Sequence, residues 1–272
     1  MDRSVDRDSA IHRVRKHLKR LRSLLRLVGP HLSEEGERAL RAYRDIGRSL
    51  SPLRDARVVL DVHESLMERF GDQLKPAVAA LVRQRLIFAL QSAFAGRDAD
   101  DRPRWDEEVL RERLRDARLA LSDIRVAGDI DDIVVEGLMD TYRRGRHALK
   151  RANQSGHSED LHALRKRGKD LWYQLEIVGG LWPRAAERIA TVKSMTQLLG
   201  DAHDLVVYAE TVSTVIDAEN QSTIDVLAAL ADRVRCDLED EAWDLATEVY
   251  DERPTDYIGG LAASWPLQRA AV

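Results

Sequence analysis

Apolar residues recur every three or four positions along most of the chain, which is typical of helices that bury one face. The clearest stripe consists of Ile11, Val14, Leu18, Leu21, Leu25 and Val28. Similar stripes between Gly, Pro and Ser residues predict further helices over about 33–49, 53–70, 76–95, 105–124, 131–152, 158–178, 183–199, 202–218 and 222–250. Strand-like alternation is absent, so we expect an all-α fold.

Polar and flexible residues mark where these helices should begin and end. Ser9 and Ser158 are placed to cap the helices that follow them, and Gly200-Asp201 indicates a helix break. The last twenty residues contain two Pro and two Gly, which predicts a tail with little regular structure. The apolar side chains expected to dock this tail on the body are Tyr257, Leu261 and Trp265.

The polar face of the first helix carries only basic charge. The positions i, i+3, i+4, i+7 and i+14 are His12, Arg15, Lys16, Lys19 and Arg26, with Arg20 and Arg22 further round the helix. Like charges at this spacing cost a few tenths of a kcal/mol per pair. We therefore expect a negatively charged partner to offset the repulsion.

The same pattern returns 150 residues later in the chain. Residues 161–179 align with residues 11–29 without a gap, and eight of nineteen positions are identical, where unrelated sequences would share roughly one. The identical polar pairs are His12 and His162, Arg15 and Arg165, Lys16 and Lys166, and Lys19 and Lys169. These pairs lie on one polar edge, which core packing does not demand. We interpret the repeat as a duplicated binding surface.

A second pair of matched motifs follows the repeat helices. LRDAR and LGDAHD, each near a predicted helix break, place Arg57 and His203 at equivalent positions. Asp55 and Asp201 in these motifs can accept first-turn amides as N-caps. Alternatively, the two aspartates orient neighbouring arginines while Arg57 and His203 face the ligand. The two interpretations are compatible.

These motifs together resemble a known family. The duplicated H-x-x-R-K-x-x-K helix, followed by L-R-D-A-R and L-G-D-A-H-D, closely resembles the CHAD domain, the conserved-histidine α-helical domain. RKRGKDLWYQLE at 165–176 is similar to that family's second-repeat signature, and YRRGRHAL at 142–149 to its central one. The resemblance covers about residues 9–250. It implies two pseudo-twofold-related helical bundles from an internal duplication, which face each other across a basic groove that binds inorganic polyphosphate.

The resemblance also sets the expected domain organisation. We expect a single CHAD domain over residues 1–272, with a first half at about 9–95, central helices at about 105–152, a second half at about 159–250 and a tail at 253–272. Some family members carry a fused triphosphate-tunnel domain, but its E-x-E-x-K pattern does not occur in this sequence. The chain is therefore expected to be a stand-alone member.

The expected polyphosphate-binding side chains come from the repeat helices, the motifs after them and further basic positions, including a block near residue 143. They are His12, Arg15, Lys16, Lys19, Arg20, Arg22, Arg26, Arg48, Arg54, Arg57, Arg83, Arg143, Arg144, Arg146, His162, Arg165, Lys166, Lys169, Tyr173, Lys193 and His203. The two copies differ, because Arg20, Arg22 and Arg26 are replaced by Asp170, Trp172 and Glu176. The first copy should therefore supply more of the charge.

Charge is segregated along the chain in a way that the net value of −4 conceals. Residues 204–252 carry fourteen acids against two arginines, whereas residues 1–203 sum to +7. We expect the acidic segment to face away from the basic surface, because it would otherwise compete with the ligand.

The cysteine content and the first residues of the chain indicate the expected cellular compartment. Cys236 is the only cysteine, which excludes an internal disulfide and a cysteine-based zinc site and fits a reducing compartment. The first residues lack an apolar signal region, and we expect no run of transmembrane length. The sequence thus predicts a cytoplasmic protein without cofactor or metal. Its expected partners are polyphosphate, polyphosphate granules and granule-associated proteins, and it should not associate with a membrane.

Two alternatives to polyphosphate binding stay open. Nucleic acid or another polyanion also fits a basic surface, although only Trp172 and Tyr173 on the basic helices offer rings for base stacking. A helical enzyme acting on phosphate or diphosphate substrates is suggested distantly by Asp131-Asp132 with Glu136. No facing acidic cluster, HExxH, P-loop or nucleophile elbow accompanies these acids. We therefore expect a non-catalytic protein.

Overall fold

The structure, a computed structural model, describes residues 3–96, 106–122, 124–180, 182–217 and 220–263. The α-helices in these ranges are α1 (Arg3–Leu27), α2 (Glu34–Ser49), α3 (Ser51–Phe70), α4 (Pro76–Ala95), α5 (Glu107–Ser122), α6 (Ile130–Ser155), α7 (Ser158–Val178), α8 (Pro183–Val215), α9 (Gln221–Tyr250) and α10 (Pro254–Ala262). Short 3₁₀ turns at Gly29–His31 and Gly71–Gln73 follow α1 and α3. The described ranges contain no strand, apart from an isolated bridge between Leu32 and Val126. The predicted all-α class is confirmed.

The predicted helix ends are wrong at three places. Helix α1 already begins at Arg3, so Ser9 lies inside it; the preceding residues contain neither Gly nor Pro and are compatible with a helix. Ser158 is the first residue of α7 and does not cap it, because the cap position belongs to His157. Helix α8 runs without a break through Gly200 and Asp201.

The C-terminal tail is more regular than predicted. Helix α10 forms because Pro254 occupies its first position, where the missing amide hydrogen costs nothing. Tyr257 and Leu261 are buried, which confirms that they dock on the body, and Ile258 is buried with them. Trp265 lies outside the described residues.

Helix α4 corrects the expectation about transmembrane length. By length and composition alone it could cross a membrane, with a mean hydropathy of 1.2 in its most apolar window. In the structure it packs on α3 and buries Val82 and Leu86. Its Arg83 pairs with Glu64 at 2.8 Å. Only 11% of this apolar window is buried, however, and Phe88 is 67% exposed, so most of the apolar surface of α4 faces outward.

The chain forms two compact units, and each takes segments from both halves of the sequence. Unit 1 comprises Met1–Lys19, Arg41–Leu119 and Asp201–Asp237, and unit 2 comprises Arg20–Leu40, Ala120–Gly200 and Leu238–Val272. Helices α1, α2, α5, α8 and α9 contribute residues to both units.

The core of unit 1 is built around α3. Its buried side chains are Leu53, Val59, Leu60, His63, Leu66 and Phe70. His63 Nδ1 lies 2.9 Å from the hydroxyl of Tyr208 on α8, and its Nε2 lies 3.3 Å from the carbonyl oxygen of Ala79 on α4. Both ring nitrogens of this buried histidine are therefore satisfied, as a polar group in a core requires.

The core of unit 2 depends on close packing against α6. A Cβ at Gly137 would lie 1.8 Å from the carbonyl oxygen of Leu27, and one at Gly145 would lie 2.3 Å from the ring of Tyr250. Tyr142 donates to the carbonyl oxygen of Val249 at 3.0 Å. Only glycine allows these neighbours to approach so closely, which explains the glycine of the YRRG motif at 145 and the earlier one at 137.

Candidate functional site

The candidate residues fall into two sets, one in each unit. Unit 1 contains His12, Arg15, Lys16, Lys19, Arg48, Arg54, Arg57, Arg83 and His203, and unit 2 contains Arg20, Arg22, Arg26, Arg143, Arg144, Arg146, His162, Arg165, Lys166, Lys169, Tyr173 and Lys193. The structure thus brings parts of both repeats together within unit 2, where α1 contributes Arg20, Arg22 and Arg26.

The retained polar positions lie off the buried stripe in both repeat helices. The core positions Leu18, Leu25, Leu171 and Leu175 are buried, as the periodicity predicts. His12, Lys16 and Lys166 are exposed, and Arg15, Lys19, His162, Arg165 and Lys169 are half-buried. The cations are therefore carried at or near the protein surface.

Arg15 is both a candidate contact and a structural anchor in unit 1. Its Nη1 donates to the carbonyl oxygen of Gly47 at 2.6 Å and to the hydroxyl of Ser51 at 2.9 Å. Gly47 lies in the last turn of α2, where carbonyl oxygens lack helical partners and favour a cation. Arg15 thereby ties α1 to the junction of α2 and α3.

The equivalent Arg165 in unit 2 also packs against another helix. A Cβ at Gly200 would lie 3.2 Å from Nε and 3.3 Å from Nη2 of the Arg165 guanidinium group. Gly200 therefore leaves room for Arg165 and does not end a helix. This contact links the H-x-x-R-K-x-x-K helix to the L-G-D-A-H-D motif.

The L-R-D-A-R and L-G-D-A-H-D motifs meet through charge inside unit 1. Arg54 donates to Asp204 through both terminal nitrogens, Nη1 to Oδ1 at 3.1 Å and Nη2 to Oδ2 at 2.8 Å. Asp55 and Asp201 lie inside α3 and α8, so the prediction that they cap helices is wrong. Hydrogen bonds and charge attraction from Asp204 raise the pKa of Arg54 despite its desolvation.

The acidic segment only partly follows the expectation that it avoids the basic residues. Most of its acids are exposed, as predicted. Asp204, however, is buried and paired with the candidate residue Arg54. Its carboxylate is needed to neutralise a half-buried arginine.

A cavity of about 460 Å³ lies in unit 1 beside Arg54. Its lining consists of Asp8, Ser9, Ile11, His12, Arg13, Leu53, Arg54, Arg57, Val58 and Asp61. Arg57 pairs with Asp61 at 2.8 Å and approaches Asp8 at 3.8 Å, and burial raises the pKa of Asp8. The mixed charge and apolar floor do not favour a polyanion inside this cavity.

Helices α1 and α7 cross within unit 2 through two matched ion pairs. Arg20 Nη2 lies 2.7 Å from Glu176 Oε2, and Arg26 Nη1 lies 2.6 Å from Asp170 Oδ1. In the 150-residue alignment, Asp170 corresponds to Arg20 and Glu176 to Arg26. Each pair therefore joins the same two repeat positions, with the copies exchanged. The charge reversals in the second copy supply the acids of this crossing.

Between these ion pairs, α1 and α7 are joined by hydrogen bonds between uncharged groups. Ser23 donates its hydroxyl to the carbonyl oxygen of Asp170 at 2.8 Å, and Gln174 Nε2 donates to the carbonyl oxygen of Ser23 at 3.2 Å. Ser23 and Gln174 are fully buried. The helices therefore approach closely at Ser23.

Two lysines lie around one aromatic ring in unit 2. Lys169 Nζ of α7 is 6.0 Å from the Trp172 ring centroid, and Lys193 Nζ of α8 is 5.8 Å from it. Both distances are within the range of a cation–π contact. Tyr173, another candidate, is buried with 4% of its surface exposed and stacks on Trp172 with centroids 4.8 Å apart. It supports the ring and presents no free face.

The remaining candidate arginines are engaged by neighbouring acids or carbonyl oxygens in several cases. Arg83 pairs with Glu64 and Arg144 with Asp140, each at 2.8 Å, Arg48 approaches Asp45 at 3.9 Å, and Arg146 donates to the carbonyl oxygen of Glu252 at 2.6 Å. Arg143 is exposed, and His203 is half-buried. The basic block of α6 therefore includes a helical i, i+4 pair with the preceding acidic run.

The position of Trp172 beside two lysines is not predicted from the sequence. The sequence marks this residue as the counterpart of Arg22 and as a ring for base stacking. The available signal was the i, i+3 spacing of Lys169 and Trp172, which places an ammonium group near an indole on one helix face. The position of Lys193 on another helix was not accessible from spacing.

Of the acids that distantly suggested an enzyme, Asp131 and Asp132 lie in the first turn of α6, where acids are favoured by the helix dipole, and Glu136 lies one turn further on. Asp129 caps this helix by accepting from the amide of Asp131 at 2.9 Å. Glu136 lies 3.1 Å from His31. In the part of the chain that the structure describes, no group of three or more His, Cys, Asp or Glu residues could hold a metal ion.

Comparison with known proteins agrees with these motifs. The family model described as the CHAD domain matches residues 2–213, which is more than three quarters of the chain. No curated protein and no solved structure gives a significant match. The chain belongs to the CHAD domain family.

Proposed function

We propose that this protein binds inorganic polyphosphate, without catalysing its turnover, through the cations of its repeat helices and α8. The observation that carries the proposal is that the retained His, Arg and Lys positions of both copies lie outside the apolar core. Core packing accounts for the retained leucines, and the contacts of Arg15 and Arg165 give these two arginines a structural role, but neither explains why exposed Lys16 and Lys166 are both lysine. Membership of the CHAD family, which is associated with polyphosphate, supports the same ligand.

The proposal includes an origin by duplication. The Arg20–Glu176 and Arg26–Asp170 pairs exchange repeat positions, and such an exchange is what a twofold relation between two helices produces. The ungapped 150-residue repeat supports the same relation. That the two copies line one shared basic groove stays a prediction.

The physical chemistry of the surface fits a linear polyanion. Polyphosphate carries a negative charge on each phosphate and offers no bases to read, so affinity comes from counterion release and charge-assisted hydrogen bonds. Several arginines are already partly neutralised by carboxylates. Because a polymeric anion reaches exposed side chains first, we assign the leading contacts to Lys16 and Lys166 of the repeat helices and Lys193 of α8, with Arg143 of α6 as a further exposed cation.

The structure weakens the case for nucleic acid as the main ligand. Single-stranded binders stack bases on accessible aromatic rings. Trp172 and Tyr173, the rings that the basic helices offered for this purpose, are only 7% and 4% exposed. The enzyme alternative has less to support it, because Asp131 and Asp132 occupy the first turn of α6, where acids are favoured in any helix, and Glu136 lies 3.1 Å from His31.

Titration with polyphosphate at several salt concentrations, with duplex DNA as the competitor, tests the proposal. We expect saturable binding whose log affinity falls linearly with log salt. Duplex DNA at equal phosphate concentration should displace little of the bound polyphosphate. Equal competition by DNA would support a general polyanion binder, and no binding at low salt would overturn the proposal.

The cellular setting follows as part of the same proposal. A polyphosphate binder has polyphosphate granules and their associated proteins as its natural partners, and we propose the cytoplasm as its location. The exposed, unpaired thiol of Cys236 is compatible with a reducing compartment. Co-sedimentation of the full chain with isolated granules, before and after digestion of polyphosphate, tests this part.

A further inference from the structure

The nearly buried Trp172 lies at the centre of a cationic cluster in unit 2. Its ring centroid is 6.0 Å from the ammonium group of Lys169 and 5.8 Å from that of Lys193. These lysines come from α7 and α8, which pack so closely that a Cβ at Gly168 would lie 2.5 Å from the methyl group of Met195. One ring is thus within reach of cations from two helices.

The orientation of this ring is fixed by its neighbours. Trp172 Nε1 donates to Glu176 Oε1 at 3.0 Å, and Arg20 Nη2 holds the other oxygen of Glu176 at 2.7 Å. Tyr173 stacks on the ring, and the Arg20 guanidinium lies 5.8 Å from the Tyr173 centroid. The indole therefore presents a defined face, because its edge and one neighbouring ring are constrained.

A fixed indole ring lowers the cost of keeping two ammonium groups within about 6 Å of one centroid. Like charges repel, and lysine side chains lose rotamer freedom when a ligand immobilises them. The negative face of the ring attracts both ammonium groups and restricts them before ligand arrives. Lys169 and Lys193 are thereby both restricted around one ring before the ligand arrives.

This arrangement also explains a difference between the repeats. The first copy has Arg22 where the second has Trp172. The second copy has Asp170 and Glu176 where the first has Arg20 and Arg26, and these two acids form the ion pairs between α1 and α7. The Trp172 ring attracts Lys193 of α8, which places a further positive charge beside α7.

We propose that Trp172 is a positioning residue for anion binding, whose ring face pairs Lys169 with Lys193 as one phosphate subsite. This inference rests on the proposed function, because polyphosphate is the ligand that the subsite would hold. It assigns a role in anion affinity to an uncharged, nearly buried side chain. If Trp172 were purely structural, the effect of its replacement on anion affinity would not depend on whether Lys169 and Lys193 are present.

The test is a mutant cycle on the full chain, measured with polyphosphate at two salt concentrations. Trp172→Leu, which removes the ring face, should weaken binding by about threefold to tenfold. Trp172→Phe, which keeps a ring face, should remain within about twofold of the parent. In a Lys169→Gln, Lys193→Gln background, Trp172→Leu should have no further effect, because its partners are already absent.

Melting temperatures of all variants separate binding from folding. Trp172→Met, which keeps apolar volume without a ring, replaces the leucine variant if that protein does not fold. An unchanged affinity in the folded leucine or methionine variant, or an equal loss in both backgrounds, would overturn the positioning role. If the parent itself does not bind, the proposed function fails. If it binds but the lysine pair can be removed without loss, the subsite lies elsewhere.

Discussion

Arg26 and Asp170 form an ion pair at 2.6 Å, and Asp170 occupies the repeat position that Arg20 holds in the first copy. Arg20 in turn pairs with Glu176, the counterpart of Arg26. A contact that exchanges two positions between copies needs opposite charges, since identical residues would place arginine against arginine. The acids at 170 and 176, where the first segment has Arg20 and Arg26, are therefore the two sequence differences that these ion pairs use.

Removing Arg26 should destabilise the protein more than its partial exposure suggests. Asp170 has only 11% of its side chain exposed, and burial raises its pKa even beside Arg26 and Arg167. Arg26→Ala should lower the free energy of unfolding by about 2–3 kcal/mol, because it leaves a buried carboxylate poorly compensated. Urea denaturation at neutral pH measures this loss.

The exchange variant Arg26→Asp with Asp170→Arg tests whether loss of the Arg26–Asp170 ion pair causes the destabilisation. It should recover more than half of the stability that Arg26→Asp alone loses. The exposed pair of Arg144 and Asp140 is the control, and Arg144→Ala should cost less than about 0.5 kcal/mol. Equal losses at the two sites would show that burial does not set the energetics of the crossing.

Neighbouring residues Arg15 and Lys16 should differ in their effect on folding. Cations off the apolar stripe are expected from sequence to be dispensable for stability, but Arg15 is bonded to Gly47 and Ser51. Arg15→Gln should therefore cost about 1–2 kcal/mol. Lys16→Gln should stay within about 0.5 kcal/mol of the parent, because Lys16 is exposed. Parallel thermal denaturation of the two variants compares them, and equal stability would count against the anchoring role of Arg15.

Gly145 should not tolerate even one added methyl group. A Cβ there would lie within 2.3–2.4 Å of the Tyr250 ring, whose movement is opposed by the buried core around it. Gly145→Ala should cost about 1–3 kcal/mol through overpacking. Gly259→Ala in α10 is the matched control, because no atom lies within 4 Å of its added Cβ and alanine is the better helix former. The control should be neutral or slightly stabilising, and a neutral Gly145→Ala would refute the close packing of α6 with α9.

Stability should depend on pH through His63. Desolvation lowers its pKa below 6.5, although the Ala79 carbonyl oxygen and Glu64 act in the opposite direction and Arg83 assists. As pH falls through about 6.5 the unfolded chain takes up this proton first, so folding stability decreases until the folded-state pKa is reached. His63→Gln removes this contribution, and its free energy of unfolding should fall less between pH 7.5 and pH 5 than that of the parent. Parallel pH curves would argue against a buried neutral histidine.

The sequence predicted most helices and the buried stripes, because helical periodicity depends on local spacing. It failed at Gly200, where a glycine was interpreted as a helix break. The glycine at this position instead leaves room for the guanidinium group of Arg165, which is distant in sequence. The same limit applies to Asp55 and Asp201, since cap residues and mid-helix residues have similar local sequences. A contact between distant segments leaves no spacing signal.

For the candidate site, the sequence indicated which residue types are present but not which ion-pair partners they have. The 150-residue repeat located Lys16 and Lys166 at exposed positions. It could not show that Arg54 is held by Asp204 or that Arg20 is held by Glu176, because these acids lie about 150 residues away. Partner choice depends on packing, and packing was not available from periodicity.

The most direct measurement of the central claim is the salt dependence of polyphosphate binding by the Lys16→Gln, Lys166→Gln double variant. The account predicts weaker binding and a log–log salt slope reduced in magnitude by about one to two, since two phosphate contacts are lost. The melting temperature should stay near that of the parent, and Arg118→Gln with Arg233→Gln, which removes two exposed cations outside the repeat helices, should change neither quantity. An affinity and slope that match the parent would contradict the claim that the retained cations of the repeats bind polyphosphate.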